Sequence, residues 1–215
     1  MAAFDTFLFD LDGTLADTVD DLATAVNLLR GELGLEPMTV AEIKERVGDG
    51  ARLLMKRSLP QELFREQLLE RFLILYRDYQ CEKTRLFPGL GAFLEGHRRD
   101  KLAVITNKPL HLSRLLLEDL GIIHYFSLLF GAESCPTRKP DPGPILEALR
   151  QLGSDPERAV MIGDHHTDLK AGNGAGIKTC FCAWGFGHDG GERYDFLART
   201  PADLLRLFPP TQPIR

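Results

Sequence analysis

Asp10 and Asp12 stand two residues apart at the end of the apolar run Phe7-Leu8-Phe9, and Gly13 follows at once. Two carboxylates so close call for a cation, and the carboxyl end of a parallel strand is where open α/β sheets collect ligands. An Asp-Gly pair marks a turn in its own right. That accounts for Asp12-Gly13 but leaves Asp10, emerging directly from an aromatic run, unexplained. Three later segments offer polar groups in similar places. Thr106-Asn107 follows Ala103-Val104-Ile105 and leads into a helical pattern, whose N-terminus favours an anion; the same residue types also serve as ordinary helix caps. Lys139 precedes the proline-rigidified start Pro140-Asp141-Pro142, where an ammonium can meet a carboxylate or phosphate as a compact point charge, or simply face water. Asp164 stands where the run Ala159 to Ile162 stops. Asp168 falls in the first turn of the next helix, where an acid also complements the helix dipole without any chemistry.

The elements that must position these groups follow from periodicity. Phe4 to Phe9 reads as a short buried strand. From Thr18 to Leu33, Val19, Leu22, Ala23, Val26, Leu29 and Leu33 recur at three- and four-residue spacing, the pattern of an amphipathic helix that Gly34 ends. Thr39 with Glu42 matches a capping box opening a second helix, which stops at Val47-Gly48-Asp49-Gly50. Further helices are expected over 51–59 and 61–79, with no strand between Ala16 and about Arg85. An all-helical block of that size reads as an insertion, because an ordinary crossover uses one helix. The expected division is therefore an α/β core from 1–15 and 86–215 and a helical cap from 16–85.

After Phe87-Pro88-Gly89 strands and helices alternate, as in a doubly wound, mainly parallel sheet. Strands are expected over 101–105, 128–130, 159–162 and 178–182, and helices over 109–120, 142–152, 167–175 and 201–207. The glycine-rich stretch Trp184 to Tyr194 reads as a loop. The 215 residues, 44% hydrophobic and 27% charged, are ordinary for a globular protein with one core and an insertion. A net charge of -5 without a long basic run argues against nucleic acid or an anionic membrane as the partner. Cys81, Cys135, Cys180 and Cys182 form no metal-type pairing, and the last two read as buried free thiols in a strand. No secretory or membrane-spanning stretch is evident, so the cytoplasm is the expected location.

In chain order, Asp10 to Thr14 (D-x-D-G-T), Thr106 with Asn107, Lys139, and Gly163-Asp164 with Asp168 resemble the four motifs of the haloacid dehalogenase superfamily of phosphohydrolases. The resemblance covers nearly the whole chain and implies a Rossmann-like core with an inserted cap. It also implies a mechanism. Asp10 would be the nucleophile, forming an aspartyl-phosphate, and Asp12 the general acid and then base. Mg2+ would be held by the Asp10 carboxylate, the Asp12 backbone carbonyl and Asp164, with Asp168 in the outer shell or reached through water. The phosphoryl charge would be met by the metal, Lys139, the Thr106 hydroxyl, the Asn107 amide and the backbone N–H groups after Asp10, Gly13 among them.

Phe87-Pro88-Gly89 and Thr106-Asn107-Lys108-Pro109 are similar to the phosphoglycolate phosphatases of that family. A small phosphate monoester is the implied substrate, and the loop 47–52 is the implied specificity loop, with Arg52 either clasping a substrate carboxylate or facing solvent. Phosphatases of sugar phosphates or pyrophosphate, and β-phosphoglucomutase, share the core; a receiver-like phospho-acceptor would lack an acid at Asp12. Monomer and homodimer both stay open. His165 and His166 stand where the similar enzymes carry Ser and another polar residue. They could touch substrate or cap the helix, and since adjacent residues do not share a helix face, a paired-histidine metal site is not expected.

Overall fold

The computed structural model describes residues 4–210, so the tips of the expected core segments, 1–3 and 211–215, lie outside the described residues. The chain opens with β1 (Thr6–Phe9), four residues that are all buried. After the turn holding Asp10 to Thr14 comes a two-residue strand, β2 (Ala16–Asp17). Four helices follow: α1 (Val19–Glu32), α2 (Val40–Lys44), α3 (Ala51–Ser58) and α4 (Glu66–Tyr79). The chain returns through β3 (Arg85–Leu86), which pairs antiparallel with β2. The helical block therefore hangs on a two-stranded ribbon, a correction to the strand-free stretch expected from residue 16 to 85. The capping box of Thr39 and Glu42 is present and opens α2, whereas the fourth helix begins at Glu66 rather than 61.

Beyond the ribbon lie α5 (Leu90–Gly96), β4 (Lys101–Ile105), α6 (Leu110–Asp119), β5 (Leu128–Phe130) and α7 (Gly143–Leu152). Then come β6 (Ala159–Gly163), α8 (His166–Gly174), β7 (Lys178–Cys182), β8 (Phe196–Ala198) and α9 (Asp203–Leu207). The strands form one six-stranded sheet in the order β5-β4-β1-β6-β7-β8, and every pairing is parallel. The expected doubly wound fold is thus present, with β8 and α5 as elements the periodicity did not announce.

Alternation of side chains along buried strands feeds two apolar layers. Phe7, Phe9, Val104 and Ile162 pack under α5, α6 and α9 on one face. Leu8, Ala103, Ile105 and Met161 pack against α7 and α8 on the other. The helical block has its own core of Leu22, Val26, Leu29, Met55, Phe72 and Tyr76, joined by Leu112 from α6. Cys180 and Cys182 are buried free thiols. Among the described residues no helix is long and apolar enough to cross a membrane. The strand order reverses at β1: β4 lies on one side and β6 on the other, which leaves a crevice beyond their carboxyl ends.

Candidate active site

Three of the four motifs occupy the carboxyl ends of strands around that crevice, and the third reaches it from a loop. Asp10 leaves β1 and is held there by its N–H, which donates to the Ile162 carbonyl at 2.9 Å. Thr106 to Lys108 leave β4, and Asp164 leaves β6. Lys139, from the loop before α7, is buried with Asp10, Asp164 and Asp168. Its Nζ donates to Asp10 Oδ1 at 2.9 Å and to Asp168 Oδ1 at 2.6 Å. Burial opposes the Lys139 charge, but the carboxylates of Asp10 and Asp168 outweigh it and hold the ammonium above its ordinary value.

The acids show the complementary strain. Burial, resisted by Lys139, pushes Asp10 up to about 6. Burial and then the Asp10 charge do the same to Asp164, also to about 6, and Asp168 is raised chiefly by burial. Carboxylate oxygens of Asp10, Asp164 and Asp168 all lie within 4.8 Å of one another. Three buried acids facing one ammonium leave uncompensated negative charge, and an all-oxygen donor set of this kind suits a hard divalent cation.

The surrounding backbone is shaped to bring these groups together. Asp164 Oδ1 accepts from Thr14 Oγ1 at 2.8 Å, and Oδ2 accepts from the N–H groups of Phe186 and Gly187 at 2.8 and 3.0 Å. Gly13 has φ of 86°, and a Cβ there would sit 2.4 Å from Asp164 Oδ2, so only glycine lets the first motif lie against the fourth. Asp168 has both oxygens engaged, Oδ1 by Lys139 and Oδ2 by the His165 N–H at 3.0 Å. Both carboxylate oxygens of Asp168 are thus occupied within the protein.

Facing the acids is a cavity of about 40 Å³, lined on the core side by Asp10, Asp12, Thr106, Asn107 and Lys108 and on the other by Val47, Gly48, Phe72 and Tyr76. The Thr106 Oγ1 accepts the Lys108 N–H at 3.2 Å, which leaves its own proton free to donate. Asn107 is in place but differently employed: its amide donates to the Lys139 carbonyl at 2.9 Å, tying two motif loops together. Asp12 has a cation of its own. Lys108 Nζ donates to its Oδ1 at 3.0 Å and Oδ2 at 3.2 Å.

Lys108 is the residue that spacing alone did not single out. It also donates to the Tyr76 hydroxyl of α4 at 2.7 Å and lies 4.1 Å from the centre of that ring. Burial lowers its pKa despite the nearby Asp12, and burial keeps the Tyr76 hydroxyl neutral. Its position directly after Thr106-Asn107 was the available signal. Tyr76 carried none, being absorbed in the apolar stripe of α4. Arg52 does not join this site. Its guanidinium pairs with Glu66 across α3 and α4, and its side chain is 46% exposed, because the helix begun at Gly50 turns that face outward to water.

His165 is the N-cap of α8 and forms a capping box with Asp168, so the capping alternative holds for it. Burial, then the neighbouring His166, depresses the His165 imidazole to about 4.

Residues 7–182 match the family model for haloacid dehalogenase-like hydrolases. The phosphoglycolate phosphatase of Aquifex aeolicus is 37% identical over 202 residues, covering 93% of this chain and 94% of that protein. That of Chromobacterium violaceum is 35% identical, with 93% and 94% covered. A crystal structure described as a predicted phosphoglycolate phosphatase from Haemophilus somnus superposes with a TM-score of 0.88 at 27% identity, covering 96% of this chain and 99% of that one.

Proposed function

This chain belongs to the haloacid dehalogenase-like hydrolases and is a phosphatase, and we propose that it hydrolyses small phosphate monoesters through an aspartyl-phosphate on Asp10, with 2-phosphoglycolate as substrate. The observation that carries the reading is the placing of two acids of different company at one strand end. Asp10 is buried against Lys139, while Asp12, two residues on, lines the cavity beside Lys108.

Residues 4–15 and 86–210 act as the catalytic core and 16–85 as the cap, with Tyr76 and Gly48 facing the leaving group. An Asp10 oxygen attacks phosphorus, and the bond to the leaving alkoxide breaks as Asp12 gives that oxygen its proton. Asp12 then takes a proton from water, whose oxygen attacks phosphorus and frees Asp10 with inorganic phosphate. Lys139 holds Asp10 in orientation and, with the Thr106 hydroxyl and the N–H groups of the 10–14 turn, meets the phosphoryl charge. Mg2+ fits the buried acids: Asp10, Asp164 and the Asp12 carbonyl would hold it, with Asp168 positioning Lys139 behind. When bound it would neutralise charge on the transferring phosphoryl group.

Lys108 takes the part that sequence reasoning offered to Arg52. It is a cation in the cavity next to Asp12, whereas the wall contributed by Leu22, Leu54 and Phe72 is apolar. A leaving group with its own carboxylate would find its counter-charge there. The test is phosphate release from a panel of monoesters with Mg2+. Phosphoglycolate is expected among the best substrates by kcat/KM, and Asp10→Asn is expected to abolish turnover with the fold intact. No release from any ester by folded wild-type protein would overturn the reading.

A further inference from the structure

We propose that His165, His166 and His188 form a second metal site, for a borderline-soft divalent ion of the Zn2+ class, separate from the carboxylate site. One ring nitrogen from each of the three lies within 4.8 Å of the others. Adjacent histidines on one helix would point apart, but these two are not on one helix. His165 is extended, with φ of -125° and ψ of 151°, and α8 starts only at His166. That break in conformation brings the rings of His165 and His166 to 4.1 Å between centroids. His188 arrives from the glycine-rich loop after β7, with its ring 5.6 Å from His165 and 5.5 Å from His166.

The loop is cut to fit. A Cβ on Gly187 would lie 2.4 Å from the His165 ring, and one on Gly190 would lie 2.7 Å from His166. Side chains at either place would push the loop off and carry His188 away. A second observation points to a ligand: His166 Nδ1 is buried and makes no hydrogen bond. Buried polar atoms are nearly always paired, and imidazole is the commonest metal ligand. Tetrahedral Zn2+ at ~2.0–2.1 Å from nitrogen places its ligands ~3.4 Å apart. The exposed His188 can swing in to close that difference.

Three imidazoles and three carboxylates sort metals by softness, so the two sites need not compete. The consequence of occupancy is local. His188 belongs to the loop whose Phe186 and Gly187 N–H groups hold Asp164. A metal bridging His188 to α8 would pin that loop over the fourth motif. The inference does not depend on which phosphate ester is the substrate.

The experiment titrates untagged, chelator-stripped protein with Zn2+ in saturating Mg2+ by calorimetry, and repeats it with Co2+ by visible absorption. One Zn2+ per chain is expected to bind, with Co2+ giving the strong d–d bands of a tetrahedral site. His188→Gln, a change at an exposed loop position, is expected to weaken binding at least about tenfold and to remove the bands. Asp10→Asn should leave both unchanged. Amides of 184–191 should exchange more slowly with Zn2+ in the wild type and not in His188→Gln. Absence of Zn2+ binding in Mg2+, equal affinity in His188→Gln, or loss of binding in Asp10→Asn would each overturn the proposal.

Discussion

Lys108 sits between Asp12 and the ring that closes the cavity, within 3.0 Å of the Asp12 carboxylate and 2.7 Å of the Tyr76 hydroxyl. A charge-assisted hydrogen bond from such an ammonium to a substrate carboxylate is worth about 1.5–3 kcal/mol. Lys108→Met keeps the stem length and removes the charge. It is expected to lower kcat/KM for phosphoglycolate about 10- to 100-fold more than for an aryl phosphate, whose leaving group carries no carboxylate. Equal losses on both would mean that Lys108 serves Asp12 alone. Arg52→Ala, by contrast, should change neither substrate by more than about twofold, because an exposed ion pair with Glu66 contributes little. Asp10, Asp12 and Asp164 were legible because a residue's type and its strand end speak together, and Lys139 because it directly precedes a proline-rigidified helix start. For Arg52 both alternatives stayed open in the sequence, because an arginine in the first turn of a helix does not say which way its helix face turns; here it turns to Glu66 and water.

At the scale of elements, long periodic segments such as α1 and the central strands were legible, and short ones were not. β8 is three residues, Phe196–Ala198, too short to show alternation. α5, Leu-Gly-Ala-Phe-Leu-Glu-Gly, carries two glycines that lower helix propensity, and only its packing under the sheet makes it helical. The ribbon of β2 and β3 is two residues a side, and its anchor is equally silent in sequence. Asp21, buried on α1, accepts from the N–H groups of Lys83 and Thr84 and from the Thr84 hydroxyl at 2.7 Å. This carboxylate clamps the outgoing and returning strands at the root of the helical block. Asp21→Ala leaves several buried donors unpaired at roughly 1–3 kcal/mol each. A Tm lower by about 5–10 °C is expected in a thermal melt. A change under a degree would show that the ribbon holds without its clamp.

For the whole molecule, proton and metal should compete for one buried charge cluster. Without metal, Asp10 and Asp164 are raised from 3.8 to about 6. Between those values the folded state binds more protons than the unfolded one, so these two groups stabilise the fold below pH 4 and lose that contribution as pH rises through 6. His165, depressed from 6.5 to about 4 by burial and His166, acts in the opposite sense, since its contribution is lost as pH falls through that window. A bare stability profile therefore mixes the two. The difference made by Mg2+ should separate them, because Mg2+ bound there would replace the protons on the carboxylates and leave the His165 contribution common to both curves. The Tm increase on adding Mg2+ to chelator-treated protein is expected to be small at pH 5, to grow as pH passes 6 and to level off above 7. In Asp164→Asn the increase should be reduced at every pH. A Mg2+ increment independent of pH in the wild type would mean that the cation binds elsewhere than on the acids gathered at the ends of β1 and β6.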